Sequence, residues 1–264
     1  MTATVPTAIE VRGVAIGYGD RVILRRLDFQ VRHGEVFVIL GGSGSGKSSV
    51  LKAMIGLNEP LEGQVLFDGE NLVEAEGAAR LRLLRKFGVM YQGGALFGSM
   101  TVLENVRLAL DEFTDMPPEL KDLTALAKLN QVGLLSAASR MPSELSGGMQ
   151  KRAAIARALA LDPGILFLDE PSAGLDPITS AGLDSTIRSL SHGLGITFVI
   201  VTHELPSIYA IADRCIMLDS ERKTIVAEGR PTDLRDHSDD AYVRQFFLRQ
   251  AQRAAGAGKG EVAS

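Results

Sequence analysis

With 264 residues, 45% of them hydrophobic, the chain holds enough apolar material for one large α/β domain and a smaller lobe. A net charge of −4 argues against nonspecific attraction to nucleic acid, and its apolar runs fall far short of the roughly 20 residues a membrane helix needs. The single Cys215 leaves no internal disulfide and suits a reducing compartment, and residues Met1 to Thr7 lack the basic start and apolar centre of a cleavable signal.

From Ile9 to Val31 apolar and polar residues alternate as in antiparallel strands, with turns at Tyr18-Gly19-Asp20 and His33-Gly34. Val36-Phe37-Val38-Ile39-Leu40 reads as a buried strand. It runs into Gly41-Gly42-Ser43-Gly44-Ser45-Gly46-Lys47-Ser48, which fits G-x-x-x-x-G-K-[ST]. Glycine lets such a loop turn its amides toward phosphate oxygens. Lys47 then reaches the β- and γ-phosphates of ATP, and the Ser48 hydroxyl ligates Mg²⁺. Ser48 and Ser49 open a helix to Ile55, whose N-terminal dipole favours the phosphate charge. A Gly/Ser linker has no such strand before it and helix after it.

Gly63 to Asp68 is a short strand ended by a turn at Gly69, Arg80 to Lys86 continues a helix, and Phe87 to Met90 is a strand. Residues 93 to about 161 then read as a helical lobe, with helices at Val102–Leu110, Glu119–Asn130 and Met149–Ala160. Ser146 is a good N-cap for the last of these, and the amides behind Ser146-Gly147-Gly148 can bind an anion. Taken alone, these residues equally describe an ordinary capped helix.

Asp162-Pro163-Gly164 is a turn into the buried strand Ile165–Leu168, which ends at Asp169-Glu170. Asp169 is suited to hold Mg²⁺ through water, and Glu170 to polarise an attacking water. An acidic pair at a strand end is common in α/β proteins; the phosphate loop beside it gives this one its meaning. Pro177–Leu190 reads as a helix and Ile196–Val201 as a strand, the alternation of a parallel sheet. Cys215-Ile216-Met217-Leu218 is an apolar strand, so Cys215 reads as core rather than as a reactive thiol. No internal repeat is present, and the Ala/Gly-rich tail from Ala251 to Ser264 reads as frayed.

Phosphate loop, Leu145-Ser146-Gly147-Gly148-Met149 and Ile165 to Glu170, in that order, resemble the ATP-binding cassette (ABC) ATPases from about Ile9 to Leu234. The resemblance implies a P-loop α/β core with a parallel sheet, an antiparallel N-terminal β subdomain and an inserted helical subdomain at about 93–161. Residues 1–237 then form the ATPase domain, and 238–264 a C-terminal helix and flexible tail. It implies that Tyr18 stacks on adenine and that Gln92 links the Mg²⁺ site to the helical subdomain. It implies that Ala173-Gly174-Leu175-Asp176 crosses a dimer interface and that His203 senses the γ-phosphate. Ser146, Gly147 and Gly148 would serve the ATP held by a second copy. The chain departs from the family at Met149, where Gln is commoner, and at Gly42, where Pro or Arg is frequent.

Gly94-Ala95-Leu96-Phe97, Met141-Pro142-Ser143-Glu144, Asp176-Pro177-Ile178-Thr179-Ser180 and Thr202-His203-Glu204-Leu205-Pro206 are similar to the ATPases of MCE-type lipid transporters, the Mla group. This implies a homodimer on the cytoplasmic face of a bacterial inner membrane, with permease subunits, an MCE-domain protein and a STAS-domain protein. Another small solute remains open as cargo, because specificity lives in the permease; a soluble ABC ATPase acting on nucleic acid would carry fused cassettes or a long coiled coil, which this chain lacks. Val243, Phe246 and Phe247, at i, i+3 and i+4, form one apolar helical face. Its cover is either the chain's own domain or the second ATPase. A cut after Asp239 is expected to lower ATPase activity through poorer assembly with the permease and to spare the ATP affinity of the isolated subunit.

Overall fold

Residues 5–19 and 21–248 are described in the computed structural model. The first turn's Asp20, Arg249 and the tail over 251–264 lie outside them. Two long strands, β1 (Thr7–Tyr18) and β2 (Arg21–Arg32), pair antiparallel from Thr7 opposite Arg32 to Tyr18 opposite Arg21. With β4 (Glu62–Phe67) and β5 (Glu70–Asn71) they make a four-stranded sheet in the order β2-β1-β4-β5.

The second sheet holds β3 (Val36–Gly41), β6 (Phe87–Met90), β7 (Ile165–Asp169), β8 (Thr197–Val201), β9 (Arg214–Asp219) and β10 (Thr224–Gly229). Its order is β10-β9-β3-β8-β7-β6, parallel except for β10. Side chains that alternate along a strand must fill both faces of such a sheet. Thus Val36, Val38 and Leu40 of β3 enter one core, and Phe37 and Ile39 enter the other. The first core lies under α3 (Val102–Phe113), α4 (Pro118–Gln131), α5 (Gly147–Ala158), α6 (Pro177–Leu194) and α7 (Leu205–Ile211). The second is closed by α1 (Lys47–Met54), α2 (Gly77–Leu84) and the antiparallel sheet. The expected α/β core, antiparallel subdomain and helical lobe are all present.

Local chemistry sets the helix ends. Thr101 and Glu104 form a reciprocal capping box on α3. α5 starts two residues earlier than the apolar pattern suggests, because the Ser146 hydroxyl accepts the Met149 amide at 3.3 Å. α6 runs one turn past Leu190 and stops where Gly195 turns left-handed at φ 68°. α2 begins at Gly77 rather than Arg80 and ends before Lys86, since Phe87 must already pair with Ile165. The sequence pattern missed α7, β10 and α8 (Pro231–His237), which are too short for periodicity to reveal.

The chain closes with a helical segment over 241–248, here α9. Asp240 accepts the Tyr242 amide at 2.8 Å and begins it. Val243 and Phe247 are fully buried in the first core of their own domain, and the Phe247 ring lies 6.1 Å from Tyr209. Removing these two side chains from water contributes roughly 3–6 kcal/mol before ordering costs. Phe246, on the same face by spacing, is only half-buried and packs at the edge of that core.

Candidate active site

Parallel strands deliver their C-terminal ends to one edge of a sheet. Here Gly41 of β3, Asp169 of β7 and Val201 of β8 end together, with Asp169 registered on Val201. A cavity of about 570 Å³ opens at that edge, lined by Gly41 to Ser49, Gln92, Glu170 and His203. Ile23 and Phe246 line it too, and no sequence signal pointed to either.

Gly46 takes φ 94°, and a Cβ there would meet the Leu24 side chain at 2.7 Å, so only glycine fits. Behind it Lys47, Ser48 and Ser49, the first turn of α1, line the cavity, where a helix N-terminus favours an anion. Lys47 Nζ donates to the carbonyls of Gly41 and Gly42 at 3.0 and 3.1 Å, curling over the loop. Burial lowers its pKa, while the charges of Glu170 and Asp169 push it back up. The Ser48 hydroxyl donates to Asp169 at 3.3 Å. Burial raises the Asp169 pKa; the Ser48 bond opposes that, and the neighbouring Glu170 adds to it. No group of three or more His, Cys, Asp or Glu among the described residues could hold a metal alone. A hydroxyl beside a carboxylate does fit a hard cation that takes its other ligands from phosphate and water.

Glu170 sits at φ 47°, a conformation that costs a non-glycine residue on the order of 1–3 kcal/mol. Its amide donates to the Val201 carbonyl at 2.8 Å, which ties the strained turn to β8. One carboxylate oxygen, Oε1, lies 2.8 Å from His203 Nδ1. The other, Oε2, is buried and has no protein partner. A buried acceptor left unpaired at the mouth of a phosphate cavity is placed to take a hydrogen bond from water.

Tyr18 stands beside the cavity. Its hydroxyl lies 3.4 Å from Ser49 Oγ and accepts a bond from Asn58 at 3.0 Å, and its ring is half-exposed. Ser146, Gly147, Gly148 and Asp176 do not reach the cavity; the start of α5 packs instead against the start of α6. A Cβ on Gly148 would lie 2.2 Å from Thr179 Cγ2, and one on Gly147 would lie 3.3 Å from Leu175. Asp176 caps α6, accepting from Ile178 and Thr179 amides at 3.0 and 3.1 Å. A larger cleft of about 870 Å³ between α6 and α7 contains none of the predicted site residues.

The loop after Gln92 is held by side chains that periodicity did not single out. Lys151 of α5 donates to the Gln92 carbonyl. Arg157 donates to the Gly94 and Ala95 carbonyls at 2.8 and 2.6 Å. Buried Asn105 bonds Phe97, Met100 and Thr101 backbone atoms. Helix α5 therefore bonds directly to the segment that lines the cavity. Gln150, next to the unusual Met149, turns inward to the Pro142 and Leu145 carbonyls at 3.0 and 3.3 Å. Cys215 is buried, and burial pushes its thiol up to about 12, as suits a core side chain.

Residues 24–173 match the family described as ABC transporter. The intermembrane phospholipid transport system ATP-binding protein MlaF of Escherichia coli (strain K12) is 42% identical over 248 residues, covering 94% of this chain and 91% of that protein. The probable ribonucleotide transport ATP-binding protein mkl of Mycobacterium leprae (strain TN) is 40% identical over 241 residues, covering 91% of this chain and 68% of that protein. A dimeric bacterial ABC transporter cassette superposes with a TM-score of 0.75 at 32% identity, covering 84% of this chain and 98% of that one.

Proposed function

The chain belongs to the ABC transporter family as an ATP-hydrolysing subunit, and from that premise we propose that a homodimer of it drives phospholipid movement between membranes. Identity of 42% across 94% of the chain with an intermembrane phospholipid transport ATPase carries the lipid reading. Among the described residues no helix is long and apolar enough to cross a membrane, so the transport path belongs to permease subunits. The loop over 93–101, with Phe97 exposed and its backbone bonded to α3 and α5, is the surface offered to them. The complex then sits on the cytoplasmic face of the inner membrane, with an MCE-domain protein and a STAS-domain protein as further partners.

In each site Gly41 to Ser49 cradle the ATP phosphates, Lys47 swings from the loop carbonyls to the β- and γ-phosphates, and Tyr18 stacks on adenine. Ser48 and Asp169, with Gln92 beside them, would hold Mg²⁺, which would offset the charge that develops on the phosphates. Glu170 uses its free Oε2 to orient and polarise the attacking water. His203, held on Oε1, faces the γ-phosphate. Ser146 to Gly148 and Asp176 act across the dimer on the partner's nucleotide.

The ribonucleotide transport name carried by the mycobacterial relative favours a second reading, a different small solute moved by the same engine. Purification of the tagged chain from membranes, followed by identification of its subunits, separates the two. A permease with an MCE-domain protein, and ATP-dependent transfer of labelled phospholipid between proteoliposomes, is the expected result. A permease with a solute receptor, and labelled ribonucleotide uptake without lipid transfer, would establish the second reading instead.

A further inference from the structure

Gly42 and α9 are far apart in the chain and meet at the phosphate loop. The Tyr242 hydroxyl of α9 comes up against Gly42 of the loop. A Cβ on Gly42 would lie 3.4 Å from the hydroxyl oxygen. A proline or arginine side chain at position 42 would crowd that hydroxyl. The unusual glycine and the C-terminal tyrosine therefore fit one another.

The helix that carries Tyr242 is firmly seated. Val243 and Phe247 anchor it in the core. Asp240, which caps it, is ion-paired with Arg222, and Arg222 lies 3.5 Å from Asp219 at the end of β9. β9 neighbours β3, with Gly41 registered on Leu218. One helical turn beyond Tyr242, Phe246 lines the nucleotide cavity opposite Ile23. It stacks edge-on against the buried Phe247 ring at 5.6 Å.

We infer that α9 is a clamp on the nucleotide site of its own subunit, with Tyr242 as a positioning residue for the phosphate loop and Phe246 as a wall of the ATP cavity. The physical reason is entropy. A loop with glycine at 41, 42, 44 and 46 has much backbone freedom to lose when phosphate binds. Contact with a seated helix removes part of that freedom in advance, and the ligand gains the difference. The inference rests on the ATP reading of this cavity. It also changes what a cut after Asp239 should do: ATP affinity falls in the subunit itself, before any question of assembly.

The test uses the full-length chain and a fluorescent ATP analogue titrated against the isolated subunit, with ATP as competitor. Tyr242→Phe removes one hydroxyl and keeps the ring. The expected result is binding weaker by about 3- to 10-fold, the worth of one polar contact, at unchanged Tm. Hydrogen exchange of the nucleotide-free protein should speed up over 41–46, which loss of packing elsewhere would not cause. Phe246→Ala should weaken binding as well, without that change in exchange. Lys47→Ala serves as the control for the cavity: if it leaves binding intact, the ATP reading of the site is what fails. If Lys47→Ala abolishes binding while Tyr242→Phe and Phe246→Ala leave affinity unaltered, the clamp is overturned. A fall in Tm with unaltered affinity would likewise reduce α9 to packing.

Discussion

Helices α1 and α5 both begin behind a Gly/Ser segment, yet only α1 opens into the cavity at the strand ends. Around α1 the groups are poised for a ligand. Lys47 spends its donors on loop carbonyls, Ser48 reaches Asp169, and Glu170 keeps one oxygen without a partner. Around α5 the groups are already satisfied. The Ser146 hydroxyl caps its helix, the Asp176 carboxylate caps α6, and Gly148 is pressed against Thr179. The difference fits the proposed function, in which one chain supplies two unlike halves of a site: the first holds and hydrolyses ATP, and the second closes on the partner's nucleotide.

The largest effect should come from the first half. Glu170→Gln leaves the fold and the phosphate contacts in place and removes the group that polarises water. Hydrolysis should fall by about 10²–10⁴-fold with ATP binding retained, and the variant should accumulate as an ATP-bound closed dimer. Single-turnover phosphate release alongside nucleotide affinity measures this, and near-normal turnover would remove Glu170 from the role proposed here.

A pair of substitutions sets one half against the other. Lys47→Ala loses charge-assisted bonds to phosphate and should weaken ATP binding by the isolated subunit, by about 10- to 100-fold. Ser146→Arg should leave that affinity alone and block closure of the dimer, seen as loss of the ATP-induced change in molecular mass. Loss of nucleotide binding by isolated Ser146→Arg would mean that the two regions are not separate halves.

The rigidity of the second half can be probed by itself. A Cβ on Gly148 would meet Thr179 Cγ2 at 2.2 Å, so Gly148→Ala should cost about 1–3 kcal/mol of stability through overpacking and slow hydrolysis. Thr179→Ser removes the opposing methyl while keeping the hydroxyl on Asp176, and the double variant should regain much of the lost Tm. Additive losses would place the strain elsewhere.

The smallest effect separates the poised half by pH. Burial raises the Asp169 pKa in the nucleotide-free fold. A carboxyl with a raised folded pKa penalises the folded state once pH exceeds the unfolded value, and not below it. Asp169→Asn should therefore raise the Tm of the nucleotide-free chain at neutral pH by a small amount, under about 3 °C. The gain should vanish below about pH 3.8, the ordinary carboxylate range. A gain that persists in acid would assign the effect to something other than ionisation.

Much of this molecule was legible as sequence, because its chemistry comes in contiguous pieces. Gly41 to Ser48 must be adjacent for their amides to converge on phosphate, and Ile165 to Glu170 must be a buried strand that ends in charge. Alternation along β3, β7 and β8 announced a sheet covered on both faces, since each residue has to serve one of two cores. Tertiary structure decided which pieces share a cavity. Lys151 and Arg157 carry no pattern that marks them, and they hold the Gln92 loop only because α5 packs beside it. Phe246 and Phe247 are chemically alike and adjacent, and successive side chains on a helix point about 100° apart. That rotation, on a helix seated by Val243, is why one ring fills the core and the other lines the cavity.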